Sequence, residues 1–210
     1  MCSSDLNYDS FTYNLVQYLR TISSNPVEVR RNDAISIEEV AAYDLIVLSP
    51  GPGVPSEAGN MPAIIQAYKS EKPILGICLG HQAIGEAFGG ILENLSDVYH
   101  GVSTPMYQVE GTDDPIFNGV DATFEAGRYH SWVIRKDTLP EELICLARDA
   151  NGEIMAIRHK KYPIWGLQFH PESVLTPVGK TLLTNFLATC DAMVTERSEE
   201  HTSELQSRKS

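Results

Sequence analysis

Cys78 has a glycine two residues before it and another two after it, in Gly76-Ile77-Cys78-Leu79-Gly80. An apolar run precedes this stretch and a helix-like segment over 82–88 follows it, so it reads as a strand, a sharp turn and a helix. Side chains at the two glycine positions would collide as the chain reverses, and such an elbow lifts its central residue above the sheet edge. With cysteine at that apex the chemistry is that of a thiol nucleophile, and the N-terminal end of the following helix favours the reactive anion. The five residues alone leave open a buried, inert cysteine at a strand end.

A second group lies 92 positions on, at His170-Pro171-Glu172, just past the apolar run 164–169. Functional groups of α/β sheets sit beyond the carboxyl ends of strands. A thiol, an imidazole and a carboxylate at such ends form the generalised nucleophilic triad, in which His170 takes the thiol proton and Glu172 holds the imidazole's tautomer. By itself His-Pro-Glu is also an ordinary turn. It is the combination with the elbow that points to chemistry.

The elements that must carry these groups alternate. Helical spacing of Phe11, Leu15, Leu19 and Ile22 predicts a helix over 11–22, which Asp9 or Ser10 would cap. Strands are expected at 27–29, 44–48, 74–77 and 164–169, and helices at 37–42, 61–69 and 178–189. The unbroken apolar run 44–48 suits a strand buried on both faces. It stops at Ser49-Pro50-Gly51-Pro52-Gly53, which continues no strand and begins no helix. Asn151-Gly152 between the runs 143–147 and 154–157 predicts a hairpin. Alternating strands and helices imply an α/β domain with a mostly parallel central sheet flanked by helices and a small antiparallel portion.

The composition narrows the function classes. With a formal net charge of -12 and no basic cluster, the chain offers no surface for nucleic acid or an anionic membrane. Its four cysteines, Cys2, Cys78, Cys145 and Cys190, are widely spaced and make neither a disulfide framework nor a zinc site, which suits a reducing cytoplasm. His81, His100, His130 and His159 show no metal-ligand spacing. His81 reads as structural, and Cys145 and Cys190 as inert.

Gly76-Ile77-Cys78-Leu79-Gly80-His81-Gln82, Gln168-Phe169-His170-Pro171-Glu172-Ser173 and Ser49-Pro50-Gly51-Pro52-Gly53 together resemble the class I glutamine amidotransferases. Narrower strings, Asn7-Tyr8-Asp9-Ser10-Phe11, Arg128-Tyr129-His130-Ser131-Trp132 and Glu172-Ser173-Val174-Leu175-Thr176, are similar to the glutaminase subunits that serve anthranilate synthase and aminodeoxychorismate synthase. The resemblance implies that Cys78 attacks the glutamine side-chain amide, with His170 and Glu172 completing a triad. It further implies an oxyanion hole from the backbone N–H groups of Gly51 and Leu79, and substrate contacts from Gly53, Gln82, His130, Ser131 and Trp132. Glutamine is the implied substrate and a separate chorismate-using synthase chain the implied partner. No cofactor or metal is implied for this chain, since any Mg²⁺ requirement would belong to that partner. The anthranilate partner is preferred, with the aminodeoxychorismate enzyme, or service to both, as the alternative. A partner-free γ-glutamyl hydrolase and a non-catalytic interaction protein are further readings; the narrower strings argue against the first and the intact triad against the second.

The domain is expected over 7–192. The strings 1–6 and 197–210 resemble in-frame translations of one sequencing-library adapter, once in each orientation, and are expected to be non-native, disordered tails. On that reading the family's apolar first strand is missing or replaced, because Ser3, Ser4 and Asp5 suit no buried strand.

Overall fold

The structure, a computed structural model, describes residues 2–5 and 11–207, with side chains over 12–193. The elements run β1 (Cys2–Asp5), α1 (Phe11–Ile22), β2 (Val27–Arg30), α2 (Ile37–Val40), β3 (Leu45–Leu48), α3 (Met61–Tyr68), β4 (Ile74–Ile77) and α4 (Leu79–Ala87). There follow β5 (Leu92–Asn94), β6 (Val102–Gln108), β7 (Thr123–Arg128), β8 (Trp132–Ile134), β9 (Leu143–Asp149), β10 (Ile154–His159), β11 (Ile164–Leu167) and α5 (Gly179–Ser207). Nine strands form one sheet in the order β2-β1-β3-β4-β11-β10-β9-β6-β7, while β5 and β8 pair antiparallel beside it. From β2 to β11 every pairing is parallel, and from β11 to β7 every pairing is antiparallel. The expected α/β architecture is therefore present, with an extended antiparallel wing joined to the parallel half through β11.

The apolar strands have no polar face because each face of the parallel half is covered by helices. Leu45, Val47, Leu75, Ile77, Trp165 and Leu167 pack into one core with Leu15 and Leu19 of α1 and Leu182, Leu183 and Phe186 of α5. Their alternate neighbours Ile46, Leu48, Ile74 and Ile164 pack into a second core with Ile64 and Ile65 of α3 and Leu79, Ala83 and Ile84 of α4. Successive side chains of a strand point to opposite faces, so a continuous apolar run is what two-sided burial requires.

Both termini depart from expectation. Cys2–Asp5 is an interior strand in parallel register with β2 and β3, Ser4 standing opposite Val29 and Val47. Any residue type supplies the backbone N–H and C=O groups that two flanking ladders demand, which is enough to fill the slot. The last helix continues to Ser207, well past the expected end at 189, because extending a nucleated helix fixes only one residue per added bond. The cap expected at Asp9 or Ser10 lies outside the described residues.

Polar residue types in an interior parallel strand forgo apolar burial. Ser3→Val with Ser4→Ile is therefore expected to raise Tm by about 5 °C or more. Equal melting temperatures for the two chains would contradict this.

Candidate active site

Cys78 occupies the turn between β4 and α4, with φ 51° and ψ -100°, and it alone among the described non-glycine residues has a positive φ. Its N–H donates to the Leu167 carbonyl at 2.7 Å and its carbonyl accepts from the Gln82 N–H at 3.0 Å, so the strained turn is held from both sides. The two glycines behave as their spacing demands. A Cβ on Gly76 would lie 2.7 Å from the His81 nitrogen and closer still to the Gly80 carbonyl, and one on Gly80 would lie 2.5 Å from the Leu48 carbonyl oxygen.

Adjacency of β4 and β11, with Ile77 opposite Leu167, brings the carboxyl ends of two strands side by side. Cys78, His170 and Glu172 meet there with relative exposures of 5%, 1% and 2%. His170 Nδ1 lies 2.7 Å from Glu172 Oε1, a spacing at which the imidazole donates to the carboxylate and leaves Nε2 for the other side. Burial disfavours charge on His170. The Glu172 carboxylate, together with hydrogen bonds to Cys78 and Glu172, overrides it and pushes the imidazole up to about 10.

Several contacts fix the His170 backbone. Its N–H donates to the Gly127 carbonyl at 3.0 Å. The Thr176 hydroxyl donates to the His170 carbonyl at 2.7 Å and accepts from the Gly127 N–H at 2.9 Å. The Tyr129 ring meets the imidazole edge-on at 4.9 Å, its hydroxyl 3.1 Å from Ser173 Oγ.

The raised value of His170 has a defined sign. Its folded-state pKa of about 10 exceeds the ordinary 6.5. The stabilisation is thus fully present below the ordinary value and is lost as pH rises through about 10. In Glu172→Gln the largest raising influence is gone while burial still disfavours the charge, so His170 is expected to titrate lower than in the wild type. The ring Cε1–H signal followed by NMR against pH reads this directly. A variant imidazole that titrates as high as that of the wild type would remove Glu172 as the cause.

The other expected site residues are placed as follows. Leu79 is the first residue of α4, so its N–H has no intrahelical acceptor. Gly51 is half-buried in the loop after β3, the strand beside β4. Gly53 in the same loop has φ 78°, and Glu57 Oε2 stands 2.5 Å from where its Cβ would be. Gln82 is buried, and its amide donates to the Trp132 carbonyl at 2.9 Å and to Gln168 Oε1 at 3.4 Å. Ser131 and Trp132 are half-buried at the start of β8.

His130 differs from the expectation of a direct substrate contact. Its Nε2 accepts from Arg128 Nε at 3.2 Å and its Nδ1 lies 3.0 Å from the Trp132 carbonyl oxygen. Both ring nitrogens are thus committed within the protein. Burial and the neighbouring Arg128 cation push this imidazole down to about 3. His81 is fully buried against Gly166, and burial likewise lowers it to about 3. Among the described residues no group of three or more His, Cys, Asp or Glu is arranged to hold a metal ion, and no helix is long and apolar enough to cross a membrane.

Two features escaped the sequence reading. Gln168, the residue after β11, donates to Cys78 Sγ at 3.7 Å; a polar residue closing an apolar strand beside His170 was the available signal. Arg128 and Asp149 form a buried ion pair at 2.7 Å. In β7 Phe124, Ala126 and Arg128 share a face by period two, so a charge on the apolar face already demanded a partner.

Comparison with known proteins agrees with this geometry. The family model described as glutamine amidotransferase class-I matches residues 6–190. Anthranilate synthase component 2 of Pseudomonas aeruginosa is 46% identical over 188 residues, covering 86% of this chain and 92% of that protein. Aminodeoxychorismate/anthranilate synthase component 2 of Bacillus subtilis is 44% identical over 185 residues, covering 87% and 93%. Bifunctional protein TrpGD of Thermotoga maritima is 45% identical over 197 residues, and the chain spans 33% of its length. Among solved structures, a protein from Thermoplasma acidophilum described as belonging to a GMP synthase superposes with a TM-score of 0.83 at 26% identity, covering 94% of this chain and 96% of that one. By its matched length and its curated relatives, the chain belongs to the class I glutamine amidotransferase family.

Proposed function

We propose that this chain hydrolyses glutamine through Cys78 and delivers the ammonia to a separate chorismate-using synthase chain, as the glutaminase subunit of an anthranilate synthase. The observation that carries the reading is the buried Cys78, His170 and Glu172 set at the carboxyl ends of adjacent strands, with Gln168 beside the thiol and Gln82 hydrogen-bonded to Gln168. Glu172 holds Nδ1–H of His170, which directs Nε2 to the thiol. Cys78 Sγ, whose proton His170 holds, attacks the side-chain amide carbon. The tetrahedral oxyanion is received by the Leu79 and Gly51 N–H groups. Collapse breaks the C–N bond, His170 returns the proton to the departing nitrogen, and ammonia and a γ-glutamyl thioester result. Water, deprotonated by His170, then cleaves the thioester to glutamate and restores the thiol.

This glutaminase step needs no cofactor, and Mg²⁺ would serve the synthase chain. Thiol chemistry at Cys78 fits a reducing cytoplasm, as does the buried thiol of Cys145, neither being held in a disulfide. The name of the Bacillus subtilis relative joins both chorismate enzymes, and that favours service to an aminodeoxychorismate synthase as the second reading. Mixing the chain with an anthranilate-type synthase chain, chorismate, Mg²⁺ and glutamine, and following anthranilate fluorescence, tests the proposal. Product with ammonia but none with glutamine overturns the anthranilate assignment; glutamate release with an aminodeoxychorismate-type synthase then selects the second reading.

A further inference from the structure

A continuous hydrogen-bonded path runs from the β9–β10 hairpin to the thiol. Asp149 Oδ1 accepts from the N–H groups of Asn151 and Glu153, both at 2.9 Å, and Oδ2 accepts from Arg128 Nη1 at 2.7 Å. The guanidinium lies 3.5 Å from the centroid of the Tyr99 ring and its Nε–H donates to His130 Nε2. Because that nitrogen must be an acceptor, the ring proton sits on Nδ1 and is donated to the Trp132 carbonyl. The same carbonyl accepts from Gln82, whose amide also reaches Gln168 and through it Cys78 Sγ. The preceding carbonyls are tied as well: His130 O accepts from the Tyr99 N–H and Ser131 O from the Leu95 N–H.

We propose that Arg128 and His130 are positioning residues for glutamine binding, with Arg128 selecting the His130 tautomer that fixes the 130–132 backbone against Gln82. Arginine cannot lose its proton at physiological pH, so the selection is permanent. Without a donor on Nδ1 the Trp132 carbonyl keeps one partner instead of two, and the segment that carries Ser131 into β8 is no longer held in place against Gln82. The triad is anchored separately, through Gly127, Thr176 and Glu172. Loss of the path should therefore weaken recognition of the substrate while leaving the nucleophile competent.

The inference rests on the glutamine reading above, and the experiment separates the two. Cys78 in the full chain is labelled with 6-diazo-5-oxo-L-norleucine, a thiol-alkylating glutamine analogue, and in parallel with iodoacetamide, which needs no substrate site; labelling is read on the Cys78 peptide by mass spectrometry. Losing one buried hydrogen bond and stranding its partner is expected to slow analogue labelling about tenfold in His130→Leu. Iodoacetamide labelling stays within about twofold, as expected for a triad whose own contacts persist. His130→Asn, which keeps an N–H donor near the Nδ1 position, should restore most of the analogue rate. Arg128→Lys, which keeps a cation beside Asp149 but lacks the Nε–H, should slow analogue labelling like His130→Leu. Unchanged analogue labelling in His130→Leu or Arg128→Lys, equal loss with both reagents, or no rescue by asparagine overturns the positioning role. A wild-type chain labelled by iodoacetamide but not by the analogue overturns the glutamine reading, and this inference with it.

Discussion

Cys78→Ser is expected to lower glutamine-dependent anthranilate formation by a factor of about 10⁴ or more while ammonia-dependent formation by the synthase partner is unchanged. The size follows from what the substitution removes. Serine occupies the same elbow and keeps a hydrogen-bonding group, yet its hydroxyl is a far weaker nucleophile than a thiol beside an imidazole. The buried His170–Glu172 pair remains in place, so the loss isolates the nucleophile. Ammonia bypasses this chain altogether, which makes the second measurement an internal control for the partner. A variant retaining more than about one part in a hundred of the glutamine-dependent rate would mean that Cys78 forms no covalent intermediate.

Gly76→Ala is expected to cost about 3 kcal/mol or more of stability and to abolish alkylation of Cys78 by the glutamine analogue. The added methyl meets backbone, the Gly80 carbonyl and the His81 nitrogen. These atoms belong to the first turn of α4, which cannot rotate aside as a flexible side chain would. They are also one and two residues from Leu79, so any relaxation that admits the methyl moves its N–H, a proposed oxyanion donor. Gly89→Ala is a useful control just past the opposite end of the same helix. No heavy atom lies within 4 Å of its Cβ position, although its φ of 100° adds backbone strain, so its cost should be about 1–2 kcal/mol with labelling preserved. Chemical denaturation of the two variants beside the wild type measures both. A Gly76→Ala chain as stable as Gly89→Ala would contradict the steric account.

Much of the local structure was legible because it depends on neighbours in sequence. The helix expected over 11–22 is α1 to the residue, since Leu15 and Leu19 at helical spacing bury completely. The Asn151-Gly152 signal lies between the antiparallel strands β9 and β10, with Gly152 at φ 78°. Helix ends were less legible. The helix expected from 82 begins at Leu79, immediately after the cysteine, because the elbow's geometry and not apolar spacing sets its start. The strand at Cys2–Asp5 was illegible for a related reason: its place is offered by the ladders of β2 and β3 and not by its own side chains.

For the site, the types and spacing of Gly76, Cys78, Gly80, His170 and Glu172 were sufficient to state the chemistry, and His170 meets Glu172 across only two positions. What sequence could not decide is which groups from distant segments share that corner of the sheet. Gln168 reaches Cys78 across 90 positions and Gln82 reaches Trp132 across 50. Both contacts exist because β11 pairs beside β4 and because β8 approaches α4. The commitment of His130 to the Arg128–Asp149 pair has the same origin. Strand alternation shows that Arg128 faces the core, but only the stacking of β7, β6 and β9 supplies Asp149 as its counter-ion. Local sterics and periodicity are written residue by residue and determined the elbow, the helices and the nucleophile. Long-range pairing, chosen by which apolar faces bury together, decided what surrounds them.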